Sequence, residues 1–175
     1  MRRLSIDEIA LAAGVSRSTV YDTFGSREAL LDAVAEDIFM TAGMEDVGHA
    51  LAAPDPIDAI ERAFPIANQM YASQRDVWRA LESMAAIDAS VTSTIARSEI
   101  RRAAGMRALA ERLAGAGYLG PGVTPELAEA HLLVMTSFAT FDLLAQAGRS
   151  LAEISDWMFV ATRRTLRLPR HGGEG

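Results

Sequence analysis

Residues 5–24 carry the start and stop signals of two short helices separated by a glycine. Ser5 and Glu8 stand three positions apart, the spacing of a capping box, which predicts the start of a short helix. Gly14 follows, and glycine is the residue that most readily adopts the left-handed backbone of a tight turn. Ser16 can cap a second helix. The pattern therefore predicts two helices that cross steeply, as in a helix-turn-helix.

The second helix is predicted to have one apolar and one polar face. Val20 and Phe24 lie four residues apart and can pack on the apolar side of the first helix. That side is formed by Ile6, Ile9 and Ala10. In a helix-turn-helix the second helix enters the major groove of DNA with its N-terminal residues at the base edges. The polar face of this helix is therefore predicted to bind DNA.

Seven residues are predicted to contact DNA. Arg17 and Ser18 begin the second helix, where they are placed to read bases. Asp22 could accept a hydrogen bond from a cytosine amino group, although its charge repels phosphate. The other four are better suited to phosphates: Ser16, Thr19, Tyr21 and Arg27.

These residues resemble the helix-turn-helix of the TetR family of bacterial repressors. The family pattern contains an alanine, a Gly-Val-Ser, a Leu/Val-Tyr, a Phe and a Ser-Lys-Glu-x-Leu. Its elements stand here as Ala10, Gly14-Val15-Ser16, Val20-Tyr21, Phe24 and Ser26-Arg27-Glu28-Ala29-Leu30. The resemblance implies an all-α chain in which a helix-turn-helix DNA-binding domain precedes a helical ligand-binding and dimerisation domain. It also implies a repressor that binds a palindromic operator as a homodimer and responds to a small molecule.

The sequence departs from the family pattern at three places. The family has a full helix ahead of the motif, whereas only four residues precede Ser5. Asp22 and Thr23 stand where the family often has basic or aromatic residues and a histidine, and Arg27 replaces a phosphate-contacting lysine with the same charge. The first departure leaves a second hypothesis open. It is a dimeric helical small-molecule-binding or interaction protein that has lost DNA binding through the absence of its first helix.

After Ser26 the apolar residues recur at helical spacing, and no alternating run bounded by turns predicts a strand. A loop is expected around Gly43, Gly48 and residues 53–56, and a kink or break where Pro65 interrupts its helix. The predicted helices span 27–41, 55 or 56 to 73, 75–87, 90–114, 125–147 and 151–168. The connecting helix 27–41 is expected to carry its apolar side on Leu30, Leu31, Val34, Ile38 and Phe39. We expect a helix-turn-helix domain with its connecting helix at 1–41, an effector-binding and dimerisation domain at 42–168, and a disordered tail at 169–175.

The last two predicted helices, 125–147 and 151–168, are joined by a short turn that contains Gly148 and should form an antiparallel hairpin. The resemblance implies that this hairpin is the dimer interface. Its many large apolar residues favour burial against a second copy, although they can also face the monomer's own core. They are Leu133, Phe138, Phe141, Leu144, Trp157, Phe159 and Val160.

The resemblance further implies a small-molecule pocket lined by flexible and aromatic side chains of the middle helices. Methionine adapts to irregular shapes, so a small apolar or aromatic effector would fit, although the same side chains can be ordinary core. His131 and Asp142 are ionisable residues that could orient an effector. Alternatively, His131 is an interface or surface histidine whose hydrogen bonds are satisfied, and Asp142 pairs with an arginine such as Arg149 or Arg163. The predicted effector-binding residues are Met70, Tyr71, Trp78, Met84, His131, Met135, Phe138, Phe141 and Asp142.

Composition restricts the chemistry that the chain can perform. Its 175 residues contain no cysteine and three scattered histidines, so we expect no enzyme, no metal site and no cofactor. No apolar run reaches the ~18 residues of a membrane span, which favours a cytoplasmic protein. The net charge of −6 arises outside the motif, because residues 1–27 hold four arginines and three acids. Acids interleave with the arginines of 97–112, which favours a solvated helix face.

Overall fold

The computed structural model describes residues 5–41 and 43–169, with the side chains at 35, 36, 38–41 and 44 excepted. Within these ranges every regular element is an α-helix, as the sequence predicts. In chain order the helices are α1 (Ile6–Ala13), α2 (Arg17–Phe24), α3 (Arg27–Thr41), α4 (Met44–Leu51), α5 (Pro56–Ser73), α6 (Arg75–Ala85), α7 (Ala89–Gly115), α8 (Pro125–Met135), α9 (Phe138–Gln146) and α10 (Leu151–Leu166).

Capping residues determine where several helices begin, and these predictions are confirmed. The Ser5 hydroxyl accepts a hydrogen bond from Glu8 N at 3.2 Å, and Ser5 N donates to the Glu8 carboxylate at 3.1 Å. Asp55 caps α5 by accepting from two backbone N–H groups of its first turn. Pro56 occupies the first helical position, where its missing N–H removes no helical hydrogen bond.

The loop predicted after α3 is wrong in part, because α4 spans Met44–Leu51. Gly43 precedes it in the left-handed conformation, with φ at 96°. Ala50 is buried, Leu51 packs against the main core, and α4 lies along α5. This tertiary burial outweighs the low helix propensity of Gly48, which favoured a loop in the sequence.

The single helix predicted over 125–147 is also wrong, because α8 and α9 meet at a bend of 48°. The Thr136 hydroxyl donates to Leu132 O at 2.8 Å, and Ser137 caps α9 by accepting from Thr140 N at 3.2 Å. Hydroxyl side chains that bond the backbone in this way compete with continuation of a helix. The Thr-Ser pair is therefore the local cause of the break.

Pro65 does not interrupt its helix, since α5 continues through it to Ser73. Pro65 is exposed, whereas its neighbours Phe64 and Asn68 are buried. Burial of the adjacent turns holds the helix together although one backbone hydrogen bond is lost. A break at this position is therefore wrong, and the kink that the sequence also predicts stays a prediction.

Two clusters of buried apolar side chains organise the described residues. The smaller one joins α1, α2 and α3, and Val20 and Phe24 pack there on the apolar side of α1 as predicted. Its members are Ile6, Ala10, Val20 and Leu30, with Ile9 and Phe24 partly buried against them. The larger cluster is built mainly from α5, α7, α8, α9 and α10. The helix-turn-helix therefore has a core of its own.

Helix α3 connects the two clusters, since it packs on both α2 and α7. Leu30 and Leu31 are buried, as predicted. Val34 lies one turn after Leu30 on the same side of α3 and is 43% exposed, so this apolar side is only partly buried. The predictions for Ile38 and Phe39 lie outside the described side chains.

The apolar residues predicted at a dimer interface divide between core and surface. Phe138 and Phe141 are buried in the monomer's own core. Leu133, Leu144 and Phe159 are partly buried against that core. The two that remain exposed are Trp157 and Val160.

No single helix in the described ranges is long and apolar enough to cross a membrane. The bent pair α8 and α9 reaches the required length and composition only when both are taken together. Ala128, Leu132 and Phe141 of that pair are fully buried in the larger cluster. The disordered tail predicted at 169–175 falls, except for Pro169, outside the described residues.

Candidate DNA-binding surface and effector cavity

The turn between α1 and α2 sets how α2 is presented. Gly14 has φ at 68°, and Val15 N donates to Ala10 O at 3.0 Å. The Ser16 hydroxyl accepts from Thr19 N at 3.1 Å and so caps α2. Ala10 is 3% exposed within the small cluster, which leaves little room for a larger side chain. The polar face of α2 is thereby held away from the core of the helix-turn-helix.

Six of the seven predicted DNA-binding residues are solvent-exposed at the N-cap of α2 or within α2. The Ser16 hydroxyl lies 2.7 Å from that of Ser18 and 2.8 Å from that of Thr19. These three hydroxyls surround a helix N-terminus, whose outward N–H groups favour an anion such as phosphate. The six exposed residues are Ser16, Arg17, Ser18, Thr19, Tyr21 and Asp22.

Arg17 supplies the positive charge of this face. Its Nη1 donates to the two Asp7 carboxylate oxygens at 3.1 and 3.0 Å, and its guanidinium lies 5.5 Å from the centroid of the Tyr21 ring. The Tyr21 hydroxyl and the Asp7 carboxylate raise the pKa of Arg17. Its side chain is 59% exposed, and an exposed ion pair contributes little to stability. Arg17 can therefore leave Asp7 for DNA without a large penalty.

Arg27, the seventh predicted residue, lies apart from this face and has another partner. Its Nη1 and Nη2 donate to the two carboxylate oxygens of Asp88 at 3.1 and 2.5 Å. The Asp88 side chain is 1% exposed, and the guanidinium beside it holds the pKa of this carboxyl below its usual range. The phosphate contact of Arg27 stays a prediction. In the structure Arg27 joins α3 to the N-terminus of α7 through this ion pair with Asp88, the N-cap residue of α7.

Three further contacts join the same helices. The Ser90 hydroxyl donates to the Glu28 carboxylate at 2.9 Å, and the Thr94 hydroxyl donates to Asp32 at 2.6 Å. Arg97 also pairs with Asp32. We call these contacts, together with the Arg27–Asp88 pair, the α3–α7 seam. Because they all involve residues 88–97, they couple α3 to the N-terminal part of α7.

A cavity of about 370 Å³ lies in the helical body, within the roughly 300–1,000 Å³ of small-molecule sites. Met70, Tyr71 and Trp78 line it, so the structure brings three of the nine predicted effector-binding residues to its wall. The remaining wall comes mainly from α4, α5 and α7 and is mostly apolar. Such a lining suits a largely apolar ligand.

Aromatic packing supports one side of the cavity. The ring centroids of Tyr71 and Trp78 are 5.4 Å apart, and those of Trp78 and Phe138 are 5.7 Å apart in a stacked pair. Phe138 and Phe141 do not line the cavity; they are buried against the lining rings. The Tyr71 hydroxyl donates to Thr136 O at 2.9 Å, and burial raises the pKa of Tyr71 to about 12. Tyr71 is therefore neutral at physiological pH.

Four other predicted effector residues, Met84, Met135, His131 and Asp142, also lie outside the cavity wall. His131 Nε2 is 3.1 Å from the Thr162 hydroxyl, and burial lowers its pKa. Asp142 accepts hydrogen bonds from Nε of Arg75 at 2.6 Å and of Arg79 at 3.0 Å. Asp142 therefore pairs with arginines of another helix, as the alternative interpretation predicts, although they are not Arg149 or Arg163. Across both described ranges, no group of three or more His, Asp or Glu side chains could hold a metal ion.

Helix α7 contributes to the cavity wall, although none of its residues is among the predicted effector-binding residues. Ser98, Arg102, Met106 and Leu109 line the wall at intervals of three and four residues, which places them on one helix face. That interval was the available signal. The solvated helix face predicted for the arginines of 97–112 is correct for Arg107, which is 65% exposed and pairs with Glu129. It is wrong for Arg102, whose side chain is 20% exposed. It is also wrong for Arg112, which donates to the carbonyl groups of Leu51, Ala53 and Pro54.

Residues 1–34 match the family described as bacterial regulatory proteins, tetR family. The fold resembles that of a Rhodococcus sp. protein assigned to the TetR family of transcriptional regulators (TM-score 0.70, 16% identity, 93% of this chain and 87% of that one). It also resembles a Clostridium perfringens protein assigned as a fatty acid metabolism regulator (TM-score 0.72, 15% identity, 91% of this chain and 86% of that one). A third similar structure is the TetR family transcriptional regulator PfmR from Thermus thermophilus (TM-score 0.60, 20% identity, 96% of this chain and 90% of that one). At these identities the likeness shows the fold alone. No curated protein matches the chain.

Proposed function

We propose that this chain, a TetR-family transcriptional regulator by its N-terminal motif and its fold, is a ligand-responsive repressor that binds a roughly palindromic operator as a homodimer. The observation that carries the proposal is the exposed first turn of α2, where three hydroxyls meet at the helix N-terminus and Arg17 is exposed, while Val20 of the same helix is buried in the small cluster. We assign DNA reading to residues 1–41, and effector binding and dimerisation to 42–168. Such a regulator works in the bacterial cytoplasm, where it meets chromosomal DNA.

Exposed apolar side chains on α8, α9 and α10 support the homodimer. Burying a large apolar side chain stabilises an interface by about 1.5–3 kcal/mol, so leaving several in water is unfavourable. A second copy related by a two-fold axis would cover them with the same surface of its own α8, α9 and α10. It would also present two copies of α2 to two inverted half-sites. The exposed side chains are Leu127, Val134, Leu143, Trp157 and Val160, with exposures of 41–68%.

Helix α7 supports coupling between the cavity and the helix-turn-helix. Residues 88–97 form the α3–α7 seam, and residues 98–109 of the same helix contribute to the cavity wall. An effector that displaces α7 therefore moves α3 and changes the separation of the two copies of α2. Coupling of this kind typically amounts to 1–3 kcal/mol, or roughly 5- to 150-fold in operator affinity.

Replacing Arg17 by alanine tests the proposed reading face. We expect discrimination at one base position to fall by about 1–3 kcal/mol, because a guanidinium that grips a guanine edge is lost. The measurement is competition fluorescence anisotropy at fixed salt, with each operator position changed to the other three bases.

Arg62→Ala is the matched control for this substitution. Arg62 is an exposed arginine on α5 that pairs with Asp58, so its loss should leave operator binding unchanged. Equal weakening on every DNA sequence would show that Arg17 contacts phosphate and not a base. Unaltered affinity and specificity would contradict DNA binding by this face of α2.

A further inference from the structure

The wall of the cavity contains a guanidinium with a defined orientation. Arg102 Nη1 donates to Leu133 O at 2.7 Å and to the Thr136 hydroxyl at 2.9 Å. Both acceptors lie at the end of α8, where the chain breaks before α9. The side chain is 20% exposed. The fold therefore holds this cation in place at the cavity wall.

The other edge of the same guanidinium binds a carboxylate of the chain itself. Arg102 Nε donates to Glu99 Oε1 at 3.1 Å, and Nη2 donates to Oε2 at 2.5 Å. This two-pronged geometry is the one in which arginine recognises any carboxylate. Glu99 is 52% exposed, so it can turn into solvent without breaking core packing. The edge is a carboxylate site that the chain fills with a displaceable group.

The charges of the cavity wall favour an anion. Arg101 and Arg102 contribute two positive charges to the lining, and Glu99 contributes one negative charge. When Glu99 turns outward, the Nε and Nη2 edge of Arg102 becomes available to a ligand surrounded by apolar side chains, and the exposed Arg101 adds positive charge to the wall. A neutral apolar ligand has no group that replaces Glu99 on Arg102, so Glu99 would stay paired with it at the cavity wall.

We infer that the effector is an apolar monocarboxylate whose carboxylate replaces that of Glu99 on the Nε and Nη2 edge of Arg102. Its apolar body lies against Met70, Trp78 and the rest of the apolar wall. The inference rests on the proposed function in that it takes this cavity as the effector site. It adds the chemical class of the ligand and the residue that selects it.

Calorimetric titration with decanoate and with decan-1-ol tests the inference, because these ligands share the chain length and differ in the charged group. Charge-assisted hydrogen bonds are the strong ones, so we expect decanoate to bind about tenfold or more tightly than decan-1-ol. Arg102→Gln should remove this preference and leave the affinity for decan-1-ol within about twofold.

Two further variants separate the selection of the ligand from effects of a substitution on the fold. Glu99→Gln removes the competing negative charge and keeps the fold-defining contacts of Arg102 with Leu133 and Thr136, so we expect severalfold tighter decanoate binding. Arg107→Gln is the matched control: it removes an exposed arginine of the same helix that does not line the cavity, and it should change neither affinity.

Equal affinities for the two ligands in the unaltered chain would overturn the inference, as would no binding of decanoate. A loss shared by both ligands in Arg102→Gln, or weaker decanoate binding by Glu99→Gln, would also overturn it. Operator affinity with and without decanoate is measured separately. Selective decanoate binding with unchanged operator affinity would uphold the ligand class and contradict the ligand-responsive repressor.

Discussion

Replacing Asp88 by alanine is expected to lower the free energy of unfolding by about 3–5 kcal/mol, because it leaves the Arg27 guanidinium without its buried carboxylate. Asp88 also caps α7 by accepting from Ser90 N at 3.1 Å, and loss of a cap costs about 1 kcal/mol. Urea denaturation followed by circular dichroism measures the change.

Asp88→Asn separates the ion pair from the cap, since asparagine caps helices about as well as aspartate. The pKa of Asp88 is depressed in the folded protein, first by the hydrogen bonds from Arg27. Its contribution to stability is therefore present above the ordinary carboxyl pKa of about 4 and is lost as the pH falls through the lower folded value. We expect the unaltered chain to lose more stability than Asp88→Asn over that acid range. Parallel changes in the free energy of unfolding with pH in the two proteins would contradict a stabilising Arg27–Asp88 pair.

Asp76→Ala is the matched control for both Asp88 variants. Asp76 is an exposed aspartate in the first turn of α6, where the helix dipole favours a carboxylate by about 0.3–1 kcal/mol. Equal destabilisation by Asp76→Ala and Asp88→Ala would show that the seam contributes no more than a helix dipole does.

Replacing Trp157 by glutamate is expected to weaken dimerisation by about 2–4 kcal/mol, roughly 30- to 700-fold. Trp157 is 51% exposed on α10, one turn from the exposed Val160, and tryptophan is among the residues that contribute most at interfaces. A carboxylate at this position would also have to lose its hydration in the dimer. Sedimentation velocity over a range of protein concentrations measures the dissociation constant.

Operator binding should weaken together with dimerisation, because a monomer presents a single copy of α2 and roughly half the phosphate contacts. Ile100→Glu is the matched control. Ile100 is 68% exposed on α7, outside the proposed interface, so its replacement should leave the dimer intact. A Trp157→Glu chain that sediments like the Ile100→Glu chain would place the dimer contact elsewhere.

The fold could be predicted from the sequence wherever local chemistry determines it. The capping box of Ser5 and Glu8, the left-handed Gly14 and the Asp55 cap each act within a few residues, so the sequence pattern contains the whole cause. Helix α4 could not be predicted in this way, because packing on α5 overcomes Gly48. The break at Thr136 and Ser137 had a local signal in two adjacent hydroxyl residues, which the apolar periodicity of 125–147 concealed.

The two candidate sites also differ in how far the local sequence determines them. The exposed residues of α2 follow from helical spacing within one short segment, and six of the seven predicted DNA-binding residues are exposed there. The cavity depends on how distant helices pack, so spacing alone did not separate the lining residue Trp78 from Phe138 behind it. Arg102 belongs to a run of arginines interleaved with acids, and only its contacts with the end of α8 distinguish it from the exposed Arg107. Arg27 likewise acquires Asp88 from 61 residues away.

Selection from a random duplex DNA library by the unaltered chain tests the central claim most directly. The account predicts enrichment of one sequence with two inverted half-sites, their centres about 34–36 Å or a multiple of that distance apart. Arg17→Ala should reduce the enrichment at one position of each half-site. Recovery of DNA without any enriched sequence, at a salt concentration that suppresses non-specific binding, would contradict the account.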